Sequence, residues 1–528
     1  LVSLREPGGV SRDEGGPVRP RKSALQDRIV AHLQAAGGTA SASELRKVVR
    51  ATPVALRALE ARGMVDLHER RVWRETIAAR ASDEPEILPS LTPAQSGALT
   101  SLQRNLERSE FSENLLFGVT GSGKTELYLR AAQVALDQGR QVVCLVPEIA
   151  LAWQTVERFA ARFSGRVALL HSGLTPGQQR DEWDRVLRGE SDVVIGPRSA
   201  LFAPVTNLGL VILDEEHEWT YKQDDVAPRY HARDVARELA RISGAVMILG
   251  SATPDVQSFH RAETGEVRML ELPARIAGGA KLPPVEVVDM RKELLHGNTS
   301  LFSRALATAM SEALAQGGQV LLFLNRRGTA TLVQCRRCAF VFSCPRCSVA
   351  LAYHAARGSL LCHRCGYVLR LPERCPQCRS PRLRYVGVGT QRVVEEVRSL
   401  HPDARVIRWD SDIPAKTRGE SGLQDAVRSG QVDIIVGTQM VAKGHDFPGV
   451  TLVGVVSADV GLGVPDYRAS EKVFQLLSQS AGRAGRGIEP GNVVVQTYEP
   501  DSYVVRSAAS HDYRAFYAEE IQYRRDAY

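Results

Sequence analysis

The sequence predicts an α/β protein built around two parallel-sheet lobes, and three observations predict it. Short apolar, β-branched stretches alternate with helical ones from about 91 to 505, in two successive series. A glycine-rich turn, Gly118-Val-Thr-Gly-Ser-Gly-Lys-Thr125, joins one such stretch to a helical one. Eight of the nine cysteines fall in four Cys-x-x-Cys pairs that interrupt the second series. Continuous apolar strands separated by helices belong to sheets covered on both faces, which is what a parallel sheet requires.

At 528 residues the chain is long enough for three or four domains. Its 44% hydrophobic and 24% charged content is that of a globular protein. It contains no run of about 18 apolar residues and no signal peptide, so neither a membrane span nor a membrane partner is expected. A chain that starts at Leu1 and stops at Arg525-Asp-Ala-Tyr528 is expected to be part of a longer protein.

In chain order, residues 1–22 are rich in Gly, Pro and charge and are expected to be a disordered tail. Residues 23–78 suggest a winged-helix domain. Leu25, Ile29, Val30 and Leu33 follow helical spacing, Gly37-Gly38 ends that helix, and 42–49 and 53–62 suggest two more. Met64–His68 and Arg70–Trp73 would be the wing, although a plain three-helix spacer fits the same pattern. Residues 79–90 read as a linker. The first lobe is expected at 91–270, with strands at 114–117, 141–146, 192–195, 209–214 and 245–249. The second is expected at 271–334 and 386–505, with strands at 320–324, 405–408, 432–437, 451–457 and 492–497. Residues 335–385 form the cysteine-rich insert, and 506–528 are expected to begin a further C-terminal domain.

The glycine-rich turn follows the strand Leu115-Leu-Phe117 and opens a helix, the context in which it makes a phosphate cradle. Gly118, Gly121, Ser122 and Gly123 would turn backbone N–H groups toward phosphates at a helix N-terminus. Lys124 would contact the β- and γ-phosphates, and Thr125 would hold Mg²⁺. The partner motif is Asp214-Glu-Glu-His217, at the end of the apolar strand Val211-Ile-Leu213. Asp214 would hold Mg²⁺ and Glu215 would polarise water. In the second lobe, Gln479-Ser-Ala-Gly-Arg-Ala-Gly-Arg486 presents Arg483 and Arg486, which could stabilise γ-phosphate charge across a cleft. These groups together predict ATP and Mg²⁺ as cofactors.

The paired cysteines are Cys335/Cys338, Cys344/Cys347, Cys362/Cys365 and Cys375/Cys378. Each pair can form a knuckle, and two knuckles complete a tetrahedral site, so two Zn²⁺ ions are expected. Iron–sulfur ligation competes, but the spacing lacks a cluster signature and favours zinc. A nested arrangement, first pair with fourth and second with third, is preferred. Cys144, in Val142-Val-Cys-Leu-Val146, reads as an inert core residue. The formal charge is +7, and two filled four-thiolate sites would remove four of those charges. Affinity for nucleic acid must therefore come from local patches. One is the insert, with arginines at 336, 337, 346, 357, 364, 370, 374, 379, 382 and 384 against a single acid, Glu373. A purely structural clamp remains an alternative role for it. The stretch Trp219–Arg233 mixes aromatic and basic residues and suits stacking on bases, or else it is a packed loop with a basic edge.

The order of these motifs resembles the PriA family of bacterial replication-restart proteins, which are superfamily 2 helicases. The resemblance rests on Leu91-Thr-Pro-Ala-Gln95, Gly118–Thr125, Val146-Pro-Glu-Ile-Ala-Leu151, Asp214–His217, Tyr221–Asp234 and Gly250-Ser-Ala-Thr-Pro254. It continues with Phe323-Leu-Asn-Arg-Arg-Gly328, the eight cysteines, Gly387–Gln391, Gly437–His445, Pro465–Glu471 and Gln479–Arg486, and covers about 24–528. It implies two RecA-like lobes, a double zinc-binding insert in the second, and 3′→5′ DNA unwinding coupled to ATP hydrolysis at stalled forks. It implies that Gln95 reads adenine and that the loop 219–233 couples DNA contact to hydrolysis. Forked and single-stranded DNA, single-stranded-DNA-binding protein, primosome proteins and a helicase loader are the implied partners of a monomeric, cytoplasmic, nucleoid-associated protein. The resemblance also implies a 3′-end-capturing domain before residue 24 and a C-terminal domain after Tyr528, both expected to fall outside this sequence. Pro197 stands where the family usually has Thr, and Ser480 is a further small change. Neither removes a catalytic group.

Overall fold

The computed structural model describes residues 2–4, 24–68, 89–147, 153–224, 226–276, 282–324, 331–335, 337–338, 340–346, 351–354, 358–362, 365–386, 389–409, 420–438, 447, 449–462, 466–484 and 491–527. The chain divides into two compact units, Leu1–Arg74 and Glu75–Tyr528.

In the first unit, helices Ala24–Ala35, Ala42–Val48 and Pro53–Ala61 pack on a three-stranded antiparallel sheet. Its strands are β1 (Val2–Leu4), β2 (Thr39–Ala40) and β3 (Val65–Leu67), with β1 in the middle. The second and third helices start on side-chain caps. Ser41 Oγ accepts from Glu44 N–H, and Thr52 Oγ1 accepts from Ala55 N–H with Pro53 next in line. Ile29, Leu33, Leu45, Leu59 and Val65 fill the core. The expectation of disorder from the first residue is corrected here. Val2 is fully buried, and β1 pairs on both sides, with Val2 opposite both Ala40 and Leu67. A composition averaged over 22 residues hides a three-residue strand. The expected second wing strand, Arg70–Trp73, lies outside the described residues, as do 5–23.

The second unit holds both lobes. The first sheet contains β4 (Ser112–Gly118), β5 (Gln141–Leu145), β6 (Val167–Leu169), β7 (Val193–Gly196), β8 (Leu208–Asp214), β9 (Val246–Ser251) and β10 (Arg268–Leu272). All its pairings are parallel, in the order β10-β4-β9-β8-β5-β7-β6. The second sheet begins with β11 (Val285–Asp289) and β12 (Gln319–Leu324). The chain then builds the insert from β13 (Thr331–Cys335), β14 (Ala352–His354), β15 (Ser359–Leu361), β16 (Val368–Arg370) and β17 (Leu383–Val386), all antiparallel. It returns with β18 (Val406–Trp409), β19 (Ile434–Gly437), β20 (Val450–Ser457) and β21 (Asn492–Thr497), giving the parallel order β11-β21-β20-β12-β19-β18. β4, β5, β8, β9 and β12 are almost wholly buried along their length, which is why their sequences read as unbroken apolar runs. Within the two parallel sheets, the strands the sequence did not announce are β6, β10 and β11. The first is three residues long, and the other two are half-exposed edges whose polar residues break the apolar run.

The C-terminal segment, where a further domain is expected to begin, packs on both lobes. Helices Tyr503–Ala509 and Tyr513–Ala527 belong to the second unit. Phe516 is fully buried and stacks on Phe474 at 4.2 Å between ring centroids. Tyr513 meets Phe259 at 4.9 Å and Phe117 at 5.6 Å. The spacing Tyr513, Phe516, Tyr517 is a helical apolar stripe, and it closes over both lobes' hydrophobic residues.

One brace holds the root of the glycine-rich turn. Glu113, on β4, accepts from Arg237 Nε and Nη2 and from Arg261 Nη1 and Nη2, all at 2.9 Å. Burial opposes its charge, yet the two guanidiniums win and hold the carboxyl below its ordinary 4.5. Removing it strands two partly exposed cations, so Glu113→Ala should cost about 2–3 kcal/mol by urea denaturation, at the low end for a broken buried pair. The contribution is complete above the ordinary value and is lost as pH falls through the depressed folded one.

Candidate functional site

β4 ends at Gly118, and the helix Lys124–Asp137 begins six residues later in the chain. Between them Gly121 and Gly123 adopt φ of +83° and +81°, a backbone that L-side chains rarely tolerate. A Cβ on Gly123 would run into the amide of Gln95 and the side chain of Ile276. Lys124 Nζ donates to the Gly118 carbonyl at 2.9 Å, across the mouth of the turn. Ser122 Oγ is buried without a hydrogen-bond partner among the described residues. Thr125 lies in the first turn of the helix. The αL glycines, the helix N-terminus and an unused hydroxyl fit a polyphosphate.

Gln95 is nearly fully buried, and its helix, Pro93–Arg108, starts with a capping box. Its Oε1 accepts from Thr92 N–H at 2.8 Å, and its Nε2 donates to the Ser122 carbonyl at 2.8 Å. One amide hydrogen and one lone pair remain.

Asp214 ends β8. Its Oδ1 accepts from the Tyr128 hydroxyl at 3.0 Å and from Glu215 N–H at 3.2 Å. Burial first, then the Glu215 charge, pushes its carboxyl up to about 6 against the pull of Lys124. A divalent cation there would reverse that balance. Glu215 sits at φ +48°, a left-handed backbone at the strand end, and its carboxylate lies 3.6 Å from His217 Nδ1. Such backbone costs about 1–3 kcal/mol and persists only where its surroundings hold it.

His217 links the lobes. Its Nε2 lies 2.8 Å from Gln479 Nε2, and its Nδ1 lies 2.6 Å from Ser251 Oγ. An amide nitrogen only donates, so His217 Nε2 accepts and Nδ1 carries the proton toward Ser251. Ser251 Oγ also accepts from Thr253 N–H at 2.9 Å. Gln479 lies in the last turn of the helix Ala469–Ala481, and Gly482 caps that helix with its Cα facing Thr120 of the glycine-rich turn. Arg483 is the next residue and is half-buried. Arg486 lies outside the described residues.

Sequence reasoning missed the neighbour of Glu215. Glu216 is buried, accepts from Asp255 N–H at 2.7 Å and from Ser258 Oγ at 2.9 Å, and pairs with Arg233 at 3.3 Å. Arg233 also pairs with Asp255 at 3.2 Å. Burial raises the Glu216 carboxyl above its ordinary value, with Arg233 opposing. Of the two readings of the 219–233 stretch, Arg233 fits the packed one, since its side chain is buried. Tyr221 is likewise buried, with its hydroxyl 2.7 Å from the Asp214 carbonyl. The loop's outer part, Asp224 and Val226–Arg229, is exposed, and Lys222 pairs with His231 at its base. Arg233→Ala should destabilise the chain by about 3–5 kcal/mol, because Glu216 and Asp255 would be left buried without a cation. A thermal melt checks this.

In the insert, the sulfurs of Cys335, Cys338, Cys375 and Cys378 lie within 4.8 Å of one another, and so do those of Cys344, Cys362 and Cys365. Cys347 lies outside the described residues. The Cys335–Cys378, Cys338–Cys375 and Cys344–Cys365 sulfurs are each 3.5 Å apart. That is too long for a disulfide of about 2.05 Å and close to the edge of a tetrahedron with metal–sulfur bonds of about 2.3 Å. Arg337 N–H and Arg346 N–H point at the Cys335 and Cys344 sulfurs at 3.4 Å. The residues fit a zinc ion. Arg337, Arg346, Arg370, Arg374, Arg379 and Arg382 are exposed around them. Cys144 is buried in β5, and burial pushes its thiol well above the ordinary range.

Comparison with known proteins agrees with this geometry. Residues 92–262 match the DEAD/DEAH box helicase family, 344–370 the PriA DNA helicase Cys-rich region domain, and 383–487 the helicase conserved C-terminal domain. The helicase families imply ATP and Mg²⁺, and the Cys-rich domain implies zinc. The chain is 43% identical to the replication restart protein PriA of Bacillus subtilis over 96% of its length, covering 63% of that protein. It is 44% identical to the Synechocystis protein of the same name over 95% of its length, covering 60% of it. It is 38% identical to that of Chlamydia pneumoniae over 96% of its length, covering 67%. Among solved structures it is similar to RecG bound to a three-way DNA junction, with a TM-score of 0.48 and 18% identity over 81% of this chain and 45% of that one. No helix among the described residues is long and apolar enough to cross a membrane. The chain belongs to the replication restart protein PriA family.

Proposed function

We propose that the chain is the motor of an ATP-driven 3′→5′ DNA helicase that acts at stalled replication forks and enables the replicative helicase to be reloaded. One observation carries the reading. Gln479 of the second lobe reaches His217, beside the acid pair at the end of β8, and Gly482 backs onto the glycine-rich turn. An ATPase that cycles between open and closed lobes needs contacts of this kind. Family membership supports the restart role, and the chain spans roughly three-fifths of the length of the Bacillus and Synechocystis relatives.

Lys124 and the N–H groups of 121–125 bind and orient the phosphates. Thr125 and Asp214 would hold Mg²⁺, which would supply positive charge to the phosphates. Glu215 receives the proton of the attacking water. Arg483 and Arg486 approach from the second lobe to the γ-phosphate. Gln95 reads adenine with its remaining amide hydrogen and lone pair, and its bond to Ser122 ties that reading to the phosphate cradle. The exposed tip of the 222–231 hairpin contacts DNA, and Arg233 at its base passes that contact to Glu216.

Cys335, Cys338, Cys375 and Cys378 hold one Zn²⁺, and Cys344, Cys347, Cys362 and Cys365 a second. The exposed arginines around them offer a surface for DNA phosphate. The domain division at 23–78, 91–270, 335–385 and 386–505, with a winged helix first, belongs to the same reading. So do single-stranded-DNA-binding protein, primosome and helicase-loader partners, a monomeric state and residence on the nucleoid. The test is ATP hydrolysis with and without forked DNA, together with strand displacement from the same fork. DNA-stimulated hydrolysis with displacement is the expected result; stimulation without displacement would replace the helicase by a duplex translocase.

A further inference from the structure

The 469–481 helix ends at the motif that faces the nucleotide site, and its other end is held in an unusual way. Glu471, Gln475 and Gln479 stand four residues apart, so they form one stripe along the helix. Each touches the first lobe. Glu471 Oε1 accepts from Val256 N–H at 2.8 Å, at the start of the helix Val256–Glu263. Gln475 Nε2 lies 3.4 Å from the Thr253 carbonyl, and Gln479 meets His217. The stripe therefore runs from a helix N-terminus of the first lobe up to the acid pair, and it sets how far the 469–481 helix can slide along that lobe.

Glu471 is the end of the stripe that bears a charge. It is 2% exposed, and its other oxygen accepts from Arg524 Nη2 at 2.7 Å. Arg524 comes from the 513–527 helix. Its Nε donates to Glu520 at 2.9 Å, and its guanidinium lies over the Tyr467 ring, 5.3 Å from the centroid. Glu520 in turn accepts from the Tyr503 hydroxyl at 2.5 Å. Burial first, then the Asp255 charge, raises the Glu471 carboxyl to about 7, and Arg524 is the cation that opposes them. The 513–527 helix is itself bolted to the first lobe: Tyr513 donates to the Pro254 carbonyl at 2.8 Å, and Arg514 pairs with Glu263 and Glu271 at 2.9 Å.

We infer that Glu471 and Arg524 are positioning residues for ATP hydrolysis: Glu471 sets where the 469–481 helix sits against the first lobe, Arg524 holds Glu471, and Arg483 reaches the phosphates only when both are in place. This rests on the assignment of Arg483 proposed above. Neither residue touches the nucleotide, so their loss should act on kcat and spare nucleotide binding. A small misplacement of a group that acts in the transition state costs about ten- to hundredfold in rate.

The test compares E471Q, R483A and E471Q/R483A in the full 528-residue chain, reading kcat, KM for ATP and melting temperature. E471Q keeps the acceptor for Val256 N–H but loses the charge that Arg524 holds. Its kcat is expected to fall about tenfold with KM within about twofold, and the double variant to be no slower than R483A alone. R524M should reproduce E471Q and R524K should recover part of the rate, which gives a second route if E471Q folds poorly. An E471Q penalty of equal size in both backgrounds would mean general support of the fold and would overturn the inference with the Arg483 assignment intact. Wild-type kcat in E471Q or in R524M would overturn it as well. Wild-type kcat in R483A would instead remove the Arg483 assignment, and the positioning role with it.

Discussion

Glu215→Gln should lower DNA-stimulated ATP hydrolysis by about 10²–10³-fold or more while leaving nucleotide affinity within about twofold. Glutamine matches the size of the carboxylate and keeps an acceptor oxygen, but it cannot take a proton from water. The two acids at the end of β8 are not equivalent. Asp214 is buried, bonded to Tyr128 and faced by Lys124, which suits a group that holds a cation. Glu215 is turned out of the strand by its left-handed backbone, and its side chain is 39% exposed, which suits a group that meets water. The substitution therefore separates chemistry from binding. Lys124 and the glycine cradle are untouched, so a fluorescent nucleotide should bind as before. If Glu215→Gln instead retained more than about a tenth of the rate, the proton would have another acceptor and the division of labour between the acids would be wrong.

What could be read in the sequence was whatever chemistry is local in the chain. The glycine-rich turn, the acid pair and the four cysteine pairs each lie within a few residues, and each needs its residue types at that spacing. The strands buried on both faces, such as β5 and β8, announce themselves as apolar runs. What escaped is long in sequence separation or double in meaning. Glu471 meets Val256 N–H across 215 positions, and nothing near either residue names the other. Arg233 and Tyr221 look like a nucleic-acid surface in a linear reading, because the same guanidinium and phenol serve phosphate and base or a buried carboxylate and carbonyl. Burial decides between these uses, and burial is a property of the folded chain. The stripe of Tyr513, Phe516 and Tyr517 is local in the chain, but the residues it covers, Phe117, Phe259 and Phe474, lie in both lobes.

Cys335→Ser should cost the chain one equivalent of zinc, unfold its half of the insert, and reduce strand displacement far more than basal ATP hydrolysis. The insert cannot rely on its hydrophobic residues. Among the described residues its hydrophobic cluster has only Val333, Phe342, Cys344, Leu351, Leu360 and Cys362 at its buried centre, and β14, β15 and β16 are three residues each. Strands this short on so small a core are marginal in water. A structural zinc supplies about 10–16 kcal/mol in isolated zinc-finger peptides, enough to decide whether the insert folds. Cys335 is at the end of β13, opposite Leu383 of β17, so its loss opens the sheet where the first and fourth cysteine pairs meet. The residues assigned to ATP lie on the helices Pro93–Arg108 and Lys124–Asp137, at and just past the ends of β4 and β8, and just past the 469–481 helix, none of which belongs to the insert's sheet. Basal hydrolysis should therefore persist, while displacement, which on the proposed reading uses the arginine-bearing surface, should not. Metal content, limited proteolysis and the two activities read on one preparation check this. Equal loss of both activities would mean that the insert supports the ATP site itself, and its arginines would then need no role on DNA.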